Sequence, residues 1–418
     1  MEVMQTSVKR SWNAVPFILL TFPVFVDIIN GILKGGSMEE GSFVGTGFRG
    51  LIILFSLFFF RQFKYRRFLI SIISLGIVCL LVQSILGLFD LSVITSFIKV
   101  LYAYFVLAIL LSHRSCRNQD LVCEYAILYG VLAAISLLIS LYLGIGKTAY
   151  GGEFGTRGFF VGMNDVTLSM LLLNGLSLFM FEKTHKQRFF FYSLIITFGS
   201  AFVGSFTAYL GTIVIFFAYI LSLTLFHFYD FVPTFYQRIS IILLIVFGTY
   251  FVIHELIGMM MEDIYIANKY EDIYAVIFEH SGRADLIDAG KKYIENRSIL
   301  EDIFGSGATY HHVLAKNAGI DASIASAESD MWDIFGEYGL FMTLLLFFFP
   351  VKLLVLSTYR LVKDRSILIY WIFVISLLFV AHSFYAGHAI VSPLSMGYFM
   401  VVFYLYNRSG IQLKSKSL

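Results

Sequence analysis

Long apolar segments alternate with short polar breaks along most of the chain. Runs of roughly 17 to 25 apolar residues are long enough to cross a bilayer as helices. Such runs occur at about 14–33, 43–60, 68–89, 91–112, 121–144, 162–181, 189–205, 206–229, 239–259, 331–355, 366–386 and 389–407. The run at 43–60 contains Arg49, and the two runs that meet at Ser205 are also consistent with one long broken helix. The pattern predicts an all-α integral membrane protein with about twelve transmembrane helices.

A polar stretch, residues 261–333, interrupts this pattern. With about seventy residues, it is too long for an ordinary connection between helices. The segment from Arg283 to Ile299 has a helix-like spacing of apolar residues, and Gly305 and Gly307 then break the chain. We expect short helices that lie over the membrane face rather than a separate domain. The predicted organisation is nine transmembrane helices in 1–260, one large extracytoplasmic loop in 261–330, and three more helices with a cytoplasmic tail in 331–418.

Composition and charge agree with this class. Of the 418 residues, 58% are hydrophobic and only 14% are charged, whereas about 25% are charged in an average soluble protein. Lysine and arginine are concentrated in alternate breaks, which places both termini in the cytoplasm and the large loop outside. No nucleic-acid partner is expected. The three cysteines, Cys79, Cys116 and Cys123, show no disulfide framework and are predicted to be free thiols.

The first candidate for chemistry is the glycine-rich loop 150–165, which leads directly into a transmembrane segment. Its glycines allow tight backbone turns. We expect Asn164 and Asp165 to cap the incoming helix while Arg157 points into a cavity in the outer leaflet. The alternative is a capped helix start with an arginine that reaches the membrane interface.

A second arginine, Arg283, follows Ser281 and Gly282 and begins a helical stretch. A planar guanidinium in this setting suits bidentate contact with phosphate oxygens. The alternative is a solvent-exposed ion pair with Glu279 or Asp285. Arg157 and Arg283 together are what a lipid diphosphate at the outer leaflet would need.

Three carboxylates, Glu328, Asp330 and Asp333, stand where the chain re-enters apolar sequence. A helix that starts near Ser329 places Asp330 and Asp333 one turn apart on the same face. Carboxylates at a membrane boundary are costly unless they are solvated or functional. The cluster therefore predicts either a general base for a sugar hydroxyl or N-terminal capping with a favourable helix-dipole interaction.

Four histidines are further candidates. His311 and His312 are adjacent, so their side chains point about 100° apart on a helix and make a poor metal pair. No metal site is predicted. Either histidine is a candidate base or phosphate ligand, while His382 and His388 are candidates to line the same cavity or to be buried and satisfied by polar neighbours.

With these features, the chain resembles the O-antigen ligase and O-antigen polymerase (Wzy-type) superfamily of integral-membrane glycosyltransferases. The resemblance covers about residues 120 to 390. It rests on many spans with a large outward loop before the last few helices, and on short motifs in a fixed order: Arg157-Gly158 followed by Asn164; Ser281-Gly282-Arg283; Gly305 and Gly307; Glu328; and Gly339.

The resemblance implies a bacterial inner-membrane enzyme that joins glycans carried on undecaprenyl diphosphate, without metal or other cofactor. Arg157 and Arg283 would hold the diphosphate. Glu328 stands where ligases have His-Asn, and this departure is closer to exopolysaccharide and capsule polymerases. The usual arginine near Ser205 is also absent.

The partners that follow are the undecaprenyl-diphosphate-linked oligosaccharide, the lipid bilayer, a chain-length regulator and a flippase. Two alternatives stay open: a ligase that moves finished glycan to another acceptor, and a lipid-linked oligosaccharide flippase or other transporter. Transporters concentrate polar groups on broken helices near the bilayer midplane, whereas most polar groups here are in outward loops.

Overall fold

The structure is a computed structural model that describes residues 14–33, 43–148, 155–226, 282–318, 326–327, 329–364 and 366–416. Its helices are α1 (Ala14–Leu20), α2 (Pro23–Leu33), α3 (Phe43–Leu57), α4 (Arg66–Ile85), α5 (Leu91–Ser112), α6 (Gln119–Leu143), α7 (Met163–Thr184), α8 (Gln187–Ala201), α9 (Phe206–Phe226), α10 (Gly282–Asn296), α11 (Ile299–Phe304), α12 (Ala308–Ala318), α13 (Asp330–Asp364), α14 (Ile367–Tyr385) and α15 (Pro393–Lys416). Short 3₁₀ turns span Phe60–Gln62 and Arg114–Cys116, and a two-stranded antiparallel hairpin joins β1 (Lys147–Thr148) to β2 (Thr156–Gly158).

The apolar helices make this a multi-pass, all-α membrane protein. Within the described residues, seven helices are long and apolar enough to cross a bilayer, and the pair α1–α2, bent by 40°, adds an eighth if it forms one span. The predicted segment 239–259 lies outside the described residues. The runs on either side of Ser205 are two helices, because α8 ends at Ala201 and the Ser205 hydroxyl accepts a hydrogen bond from the backbone N–H of Ala208, two residues into α9.

Local sequence signals explain several helix ends. The Asp90 side chain accepts a hydrogen bond from the Ser92 N–H at the start of α5, and Asn118 accepts two at the start of α6. Gly144, in the left-handed conformation, ends α6. Ser298 and Glu301 form a capping box at α11. Each arrangement satisfies backbone groups that a helix terminus leaves without partners.

The basic breaks lie together at one end of the helix bundle, which we call the basic end. An ion pair joins Arg188 to Glu124 at 2.9 Å. Hydrogen bonds join Arg408 to the Leu111 carbonyl at 3.1 Å, Arg360 to the Ser409 hydroxyl at 3.4 Å, and Tyr65 to Asn407. The opposite end, which carries the hairpin, α10–α12 and the α14–α15 turn, is called the loop end. The helices in between pack through buried aromatic and aliphatic side chains, and α7 is the most enclosed of the candidate spans that the structure describes. All three cysteines are free and buried.

Helix α13 is broken at Gly339, and the loop end is assembled on this break. Gly339 has φ 78° and ψ −177°, a conformation open almost only to glycine. Backbone carbonyls before such a break lose donors from the next turn and need partners from elsewhere. The backbone N–H of Ser306 donates to the Gly336 carbonyl at 2.8 Å, and that of Gly307 donates to the Glu337 carbonyl at 3.0 Å.

Side chains supply the remaining donors at this break. Gln83 of α4 donates to the Glu337 carbonyl at 2.8 Å and to the Phe304 carbonyl at 2.9 Å. The fully buried Arg297 side chain donates to the Phe335 carbonyl at 3.2 Å and forms an ion pair with Asp302 at 2.7 Å. Through these bonds, α10–α12 are attached to α4 and α13.

Glycines permit the close approach between the two segments. A Cβ atom at Gly305 would lie 2.2 Å from the Glu337 carbonyl oxygen, and one at Gly339 would lie 2.4 Å from the Ile303 oxygen. A Cβ at Gly336 would lie 2.4 Å from the ring of Tyr310. The backbone of the turn therefore lies directly against the backbone of α13, so the described helices α10–α12 pack against the helix bundle.

Replacing Gly339 by alanine should destabilise the protein by about 3 kcal/mol, because alanine adds both backbone strain and a steric overlap. Gly50→Ala is the matched control, since a Cβ at Gly50 in α3 meets nothing within 4 Å. The unfolding midpoint of each variant is measured in mixed detergent micelles, with circular dichroism as the signal. Equal midpoints for Gly339→Ala and the wild type would contradict this account of the break.

Glu301 should make the stability of α10–α12 depend on pH. Burial acts to raise the pKa of Glu301, but hydrogen bonds from the Ser298 backbone and hydroxyl, from Tyr293 and from Ser306 outweigh it, and the pKa is lowered. The stabilisation is present above the unfolded pKa of about 4.3 and is lost as the pH falls through the lower folded value. Glu301→Gln should cost about 1 kcal/mol at pH 7. The difference in thermal midpoint from the wild type should disappear at acid pH; a difference that stays constant from pH 7 to pH 3 would be inconsistent with this role.

Candidate functional site

The loop end collects titratable side chains from three distant segments. Asp165 lies in the first turn of α7, Asp330 and Asp333 lie in the first turn of α13, and His388 lies in the turn between α14 and α15. His388 interacts electrostatically with all three carboxylates. We call these four residues the loop-end cluster.

Asp330 holds the turn that carries His388. One carboxylate oxygen of the fully buried Asp330 accepts hydrogen bonds from the backbone N–H groups of Ala389 at 2.9 Å and Ile390 at 2.8 Å. Gly387 and His388 both have left-handed backbones, with φ of 64° and 54°. Successive N–H groups after such residues form a concave site for an anion. The other Asp330 oxygen is buried and has no hydrogen-bond partner in the described part of the chain.

Asp333 holds a different segment. One of its carboxylate oxygens accepts a hydrogen bond from the backbone N–H of Ala327 at 2.8 Å, and the other accepts one from the Ser326 hydroxyl at 2.5 Å. Both aspartates are therefore one turn apart at the helix start, as the sequence predicts. Their hydrogen bonds go to the turn between α14 and α15 and to the residues that lead into α13, instead of to the first-turn N–H groups of their own helix.

The predicted capping of α7 by Asn164 and Asp165 is wrong. The residue that precedes the helix is Gly162, which has no side chain to cap it, and Asn164 lies half-buried in the first turn. Because α7 begins at Met163, both residues already lie inside its first turn. The Asp165 carboxylate interacts instead with Ser392, just before α15.

His311 and His312 face in different directions, as expected for neighbours on a helix. The His311 Nε2 lies 3.5 Å from the Glu337 carboxylate, which is itself 5% exposed and accepts a hydrogen bond from Ser96 at 3.3 Å. His311 also interacts electrostatically with Asp333, so it borders the cluster. His312 is exposed.

Arg157 is a buried cation beside the loop-end termini of α6 and α8. It lies in β2 and is 8% exposed, and the neighbouring Thr156 N–H donates to the Phe202 carbonyl at 2.9 Å. Burial lowers the pKa of Arg157. Its Nε is buried and has no hydrogen-bond partner within the residues that the structure describes. A desolvated guanidinium with an unsatisfied N–H is suited to bind an anion.

The other predicted site residues are covered only in part. Arg283 lies in the first turn of α10, but its side chain is outside the described residues, as is Glu328 altogether. Their roles stay predictions. His382 is in the last turn of α14 and is 5% exposed, so it is a buried residue next to the turn of His388.

Three charged residues that sequence reasoning did not select have notable positions. Arg297 is buried beneath α13, and its guanidinium lies 4.4 Å from the centre of the Phe335 ring. Asp27 and Arg49 face a common cavity between α2 and α3. The sequence does contain a signal for Asp27 and Arg49, because both are charged residues inside apolar segments, and such residues are functional candidates. Arg297 stands among other charged residues in a polar stretch, so the sequence does not distinguish it.

Asp330→Ala should destabilise the protein by about 3 kcal/mol, because the buried N–H groups of Ala389 and Ile390 would lose their acceptor. Asp330→Asn keeps an acceptor oxygen and should cost about 1 kcal/mol. Asp120→Ala, at an exposed ion pair with Lys183 at the basic end, should be nearly neutral. Denaturant titration in detergent measures the free energy of unfolding of all three variants. Equal stability of Asp330→Ala and wild type would show that the turn does not depend on this carboxylate.

Within the described residues, no group of three or more histidine, cysteine, aspartate or glutamate side chains is arranged to hold a metal ion. No protein-family model matches the chain, and no curated protein is significantly similar to it. The function is therefore inferred from the loop-end cluster, from the buried Arg157 and from the sequence motifs.

Proposed function

We propose that the protein is a polysaccharide polymerase of the bacterial inner membrane. It transfers a growing glycan from undecaprenyl diphosphate to a hydroxyl of a lipid-linked repeat unit at the outer face. The observation that carries the proposal is the loop-end cluster, in which His388 and three carboxylates from distant segments meet at the end of the bundle opposite the basic breaks. Polar groups gathered at such a position are expensive in a membrane protein unless they serve a function.

The proposed topology follows from the same distribution of charge. About twelve spans, with both termini and the basic end in the cytoplasm, put the loop end and residues 261–330 outside. The loop-end cluster then meets a lipid-linked glycan that has already crossed the membrane. This side also contains the hairpin with Arg157.

The arginines are assigned to the diphosphate. A sugar attached to a lipid diphosphate already has a good leaving group, whose developing negative charge needs stabilisation by cations. Arg157, buried with an unsatisfied Nε, supports one such contact. Arg283 is assigned the second contact from its motif alone.

His388 is the best-placed base. The Asp330 and Asp333 carboxylates are engaged in holding backbone segments, while His388 is only half-buried and interacts electrostatically with both of them. Nearby carboxylates stabilise the imidazolium that forms when a histidine accepts a proton. Glu328 stays a candidate for the same role from the resemblance.

The step balances without another reactant. The acceptor hydroxyl oxygen attacks the anomeric carbon and loses its proton to His388. The bond between that carbon and the diphosphate oxygen breaks, and undecaprenyl diphosphate leaves as the anion. Attack from the face opposite the leaving group gives inversion at the anomeric carbon.

His388→Gln should lower the rate of chain lengthening by about 100-fold or more, the usual contribution of a general base. The assay uses proteoliposomes with undecaprenyl-diphosphate-linked repeat units and measures product length on gels. His185→Gln is a closely matched control: His185 is also a histidine with a left-handed backbone, φ 55°, but it is exposed at the basic end. Its activity should equal that of the wild type.

Other outcomes separate the alternatives. Transfer of one finished glycan to a different acceptor, without lengthening, would identify a ligase. Movement of the lipid-linked glycan across the bilayer with no transfer would identify a flippase. Full activity of His388→Gln, with lengthening intact, would remove His388 from the mechanism and return the role of base to Glu328.

A further inference from the structure

A buried carboxylate that the proposed reaction does not use lies near the basic end of the bundle. Glu182 is in the last turn of α7 and is only 3% exposed. One of its carboxylate oxygens, Oε2, accepts hydrogen bonds from the indole N–H of Trp371 in α14 at 2.9 Å and from the Ser222 hydroxyl in α9 at 2.8 Å. The Glu182 side chain therefore joins three helices, α7, α9 and α14.

Within the described residues, this carboxylate forms no ion pair. Both of its hydrogen-bond donors are neutral groups, and its other oxygen, Oε1, is buried and has no hydrogen-bond partner there. The neighbouring Lys183 pairs with Asp120 of α6 instead, and Arg188 of α8 pairs with Glu124 of α6. His185, which follows the last residue of α7, is exposed.

The titratable groups that interact with Glu182 are tyrosines. Tyr219 of α9 and Tyr370 of α14 both interact with it electrostatically, and the Tyr370 hydroxyl donates to a backbone carbonyl of α9 at 2.7 Å. On α15, which also packs against α7, Arg408 donates to the Leu111 carbonyl. These contacts give Glu182 no positively charged partner among the described residues.

An ionised Glu182 would be unfavourable in this position. A buried charge without an opposite charge costs far more free energy than a buried neutral hydroxyl without a partner. The last turn of a helix also carries a partial negative charge, which disfavours an anion. A carboxylic acid avoids both penalties, because its carbonyl oxygen, Oε2, accepts the two hydrogen bonds and its proton lies on Oε1.

We propose that Glu182 is a reversible proton-binding site that joins α7, α9 and α14 at the basic end. When the proton is bound, the junction is neutral and closed. When the proton is lost, the resulting anion needs water or a cation, and the junction has to open to admit one. The packing of these three helices then depends on the pH at the basic end, whatever reaction takes place at the loop end.

A hydrophobic carbodiimide, dicyclohexylcarbodiimide, tests whether Glu182 carries a proton. The acid proton passes to a nitrogen of the reagent while the carboxylate oxygen bonds to the central carbon, and the adduct rearranges to a stable acylurea. Mass spectrometry of the full-length protein, labelled in detergent and then digested, locates the adduct. Glu182 should be labelled at neutral pH, and the rate should fall about tenfold for each pH unit above the pH at which the proton is lost. Glu124, which is paired with Arg188, should stay unlabelled.

Glu182→Gln tests whether the proton stabilises the junction. Glutamine is permanently neutral and keeps an acceptor oxygen for Trp371 and Ser222. In the unfolded wild type, Glu182 is in contact with water and releases its proton above a pH of about 4.3. Until the folded protein also loses the proton, the unfolding constant of the wild type should therefore rise by up to about tenfold per pH unit relative to that of Glu182→Gln. Denaturant titrations in detergent, from about pH 5 to about pH 9, give both constants.

Glu124→Gln is the matched control for stability. The Glu124 carboxylate already has a cation, so the difference between this variant and the wild type should stay constant above neutral pH.

Three outcomes would overturn the proposal. Parallel stability curves for the wild type and Glu182→Gln would do so whether or not the carbodiimide reaches the site. Labelling of Glu182 at a rate that does not fall at high pH would show that no proton is lost there. Slower labelling when sodium chloride replaces choline chloride at constant pH would identify a site for a metal cation instead of a proton.

Discussion

The loop end of this protein depends on one contact between backbones. Gly339 breaks α13 about two and a half turns from its start, and the carbonyls before the break accept hydrogen bonds from the turn at Ser306 and Gly307 and from Gln83. Carbonyls left without partners in a membrane protein would be costly. The break therefore requires α10–α12 to pack where they do, and their packing in turn encloses the side of α13 that carries His311's partner, Glu337.

In the loop-end cluster, too, buried polar groups find their hydrogen-bond partners in another segment of the chain. Asp330 and Asp333 are buried, and each satisfies its charge mainly with backbone N–H or hydroxyl donors from a neighbouring segment. These bonds order two loops around the start of α13. Asp330 holds the loop that carries His388, whereas Asp333 holds the residues that lead into α13. The proposed chemistry then needs only that histidine and the cationic contacts.

Much of the architecture was predictable because its causes are local. Apolar run length placed the spans that the structure describes, Asp90 and Asn118 capped the helices that they precede, and Gly305 and Gly307 marked the turn. The incorrect prediction of a cap at Asn164 and Asp165 shows that residue preferences alone do not fix the first residue of a helix. Both residue types favour helix starts, but α7 begins one residue earlier, and the Asp165 carboxylate interacts with Ser392, which is more than two hundred residues away in the chain.

The sequence by itself determined the membrane class, the positions of most helices, the polar stretch and the residue types available for chemistry, because hydrophobicity and backbone propensity act over a few neighbouring residues. Only the tertiary structure decided which carboxylates hold loops, that His388 meets three of them, that Arg157 is buried with an unsatisfied nitrogen, and that Asp27 and Arg49 face one cavity. These are properties of distances between segments far apart in the chain, and they depend on how helices pack rather than on where each helix begins.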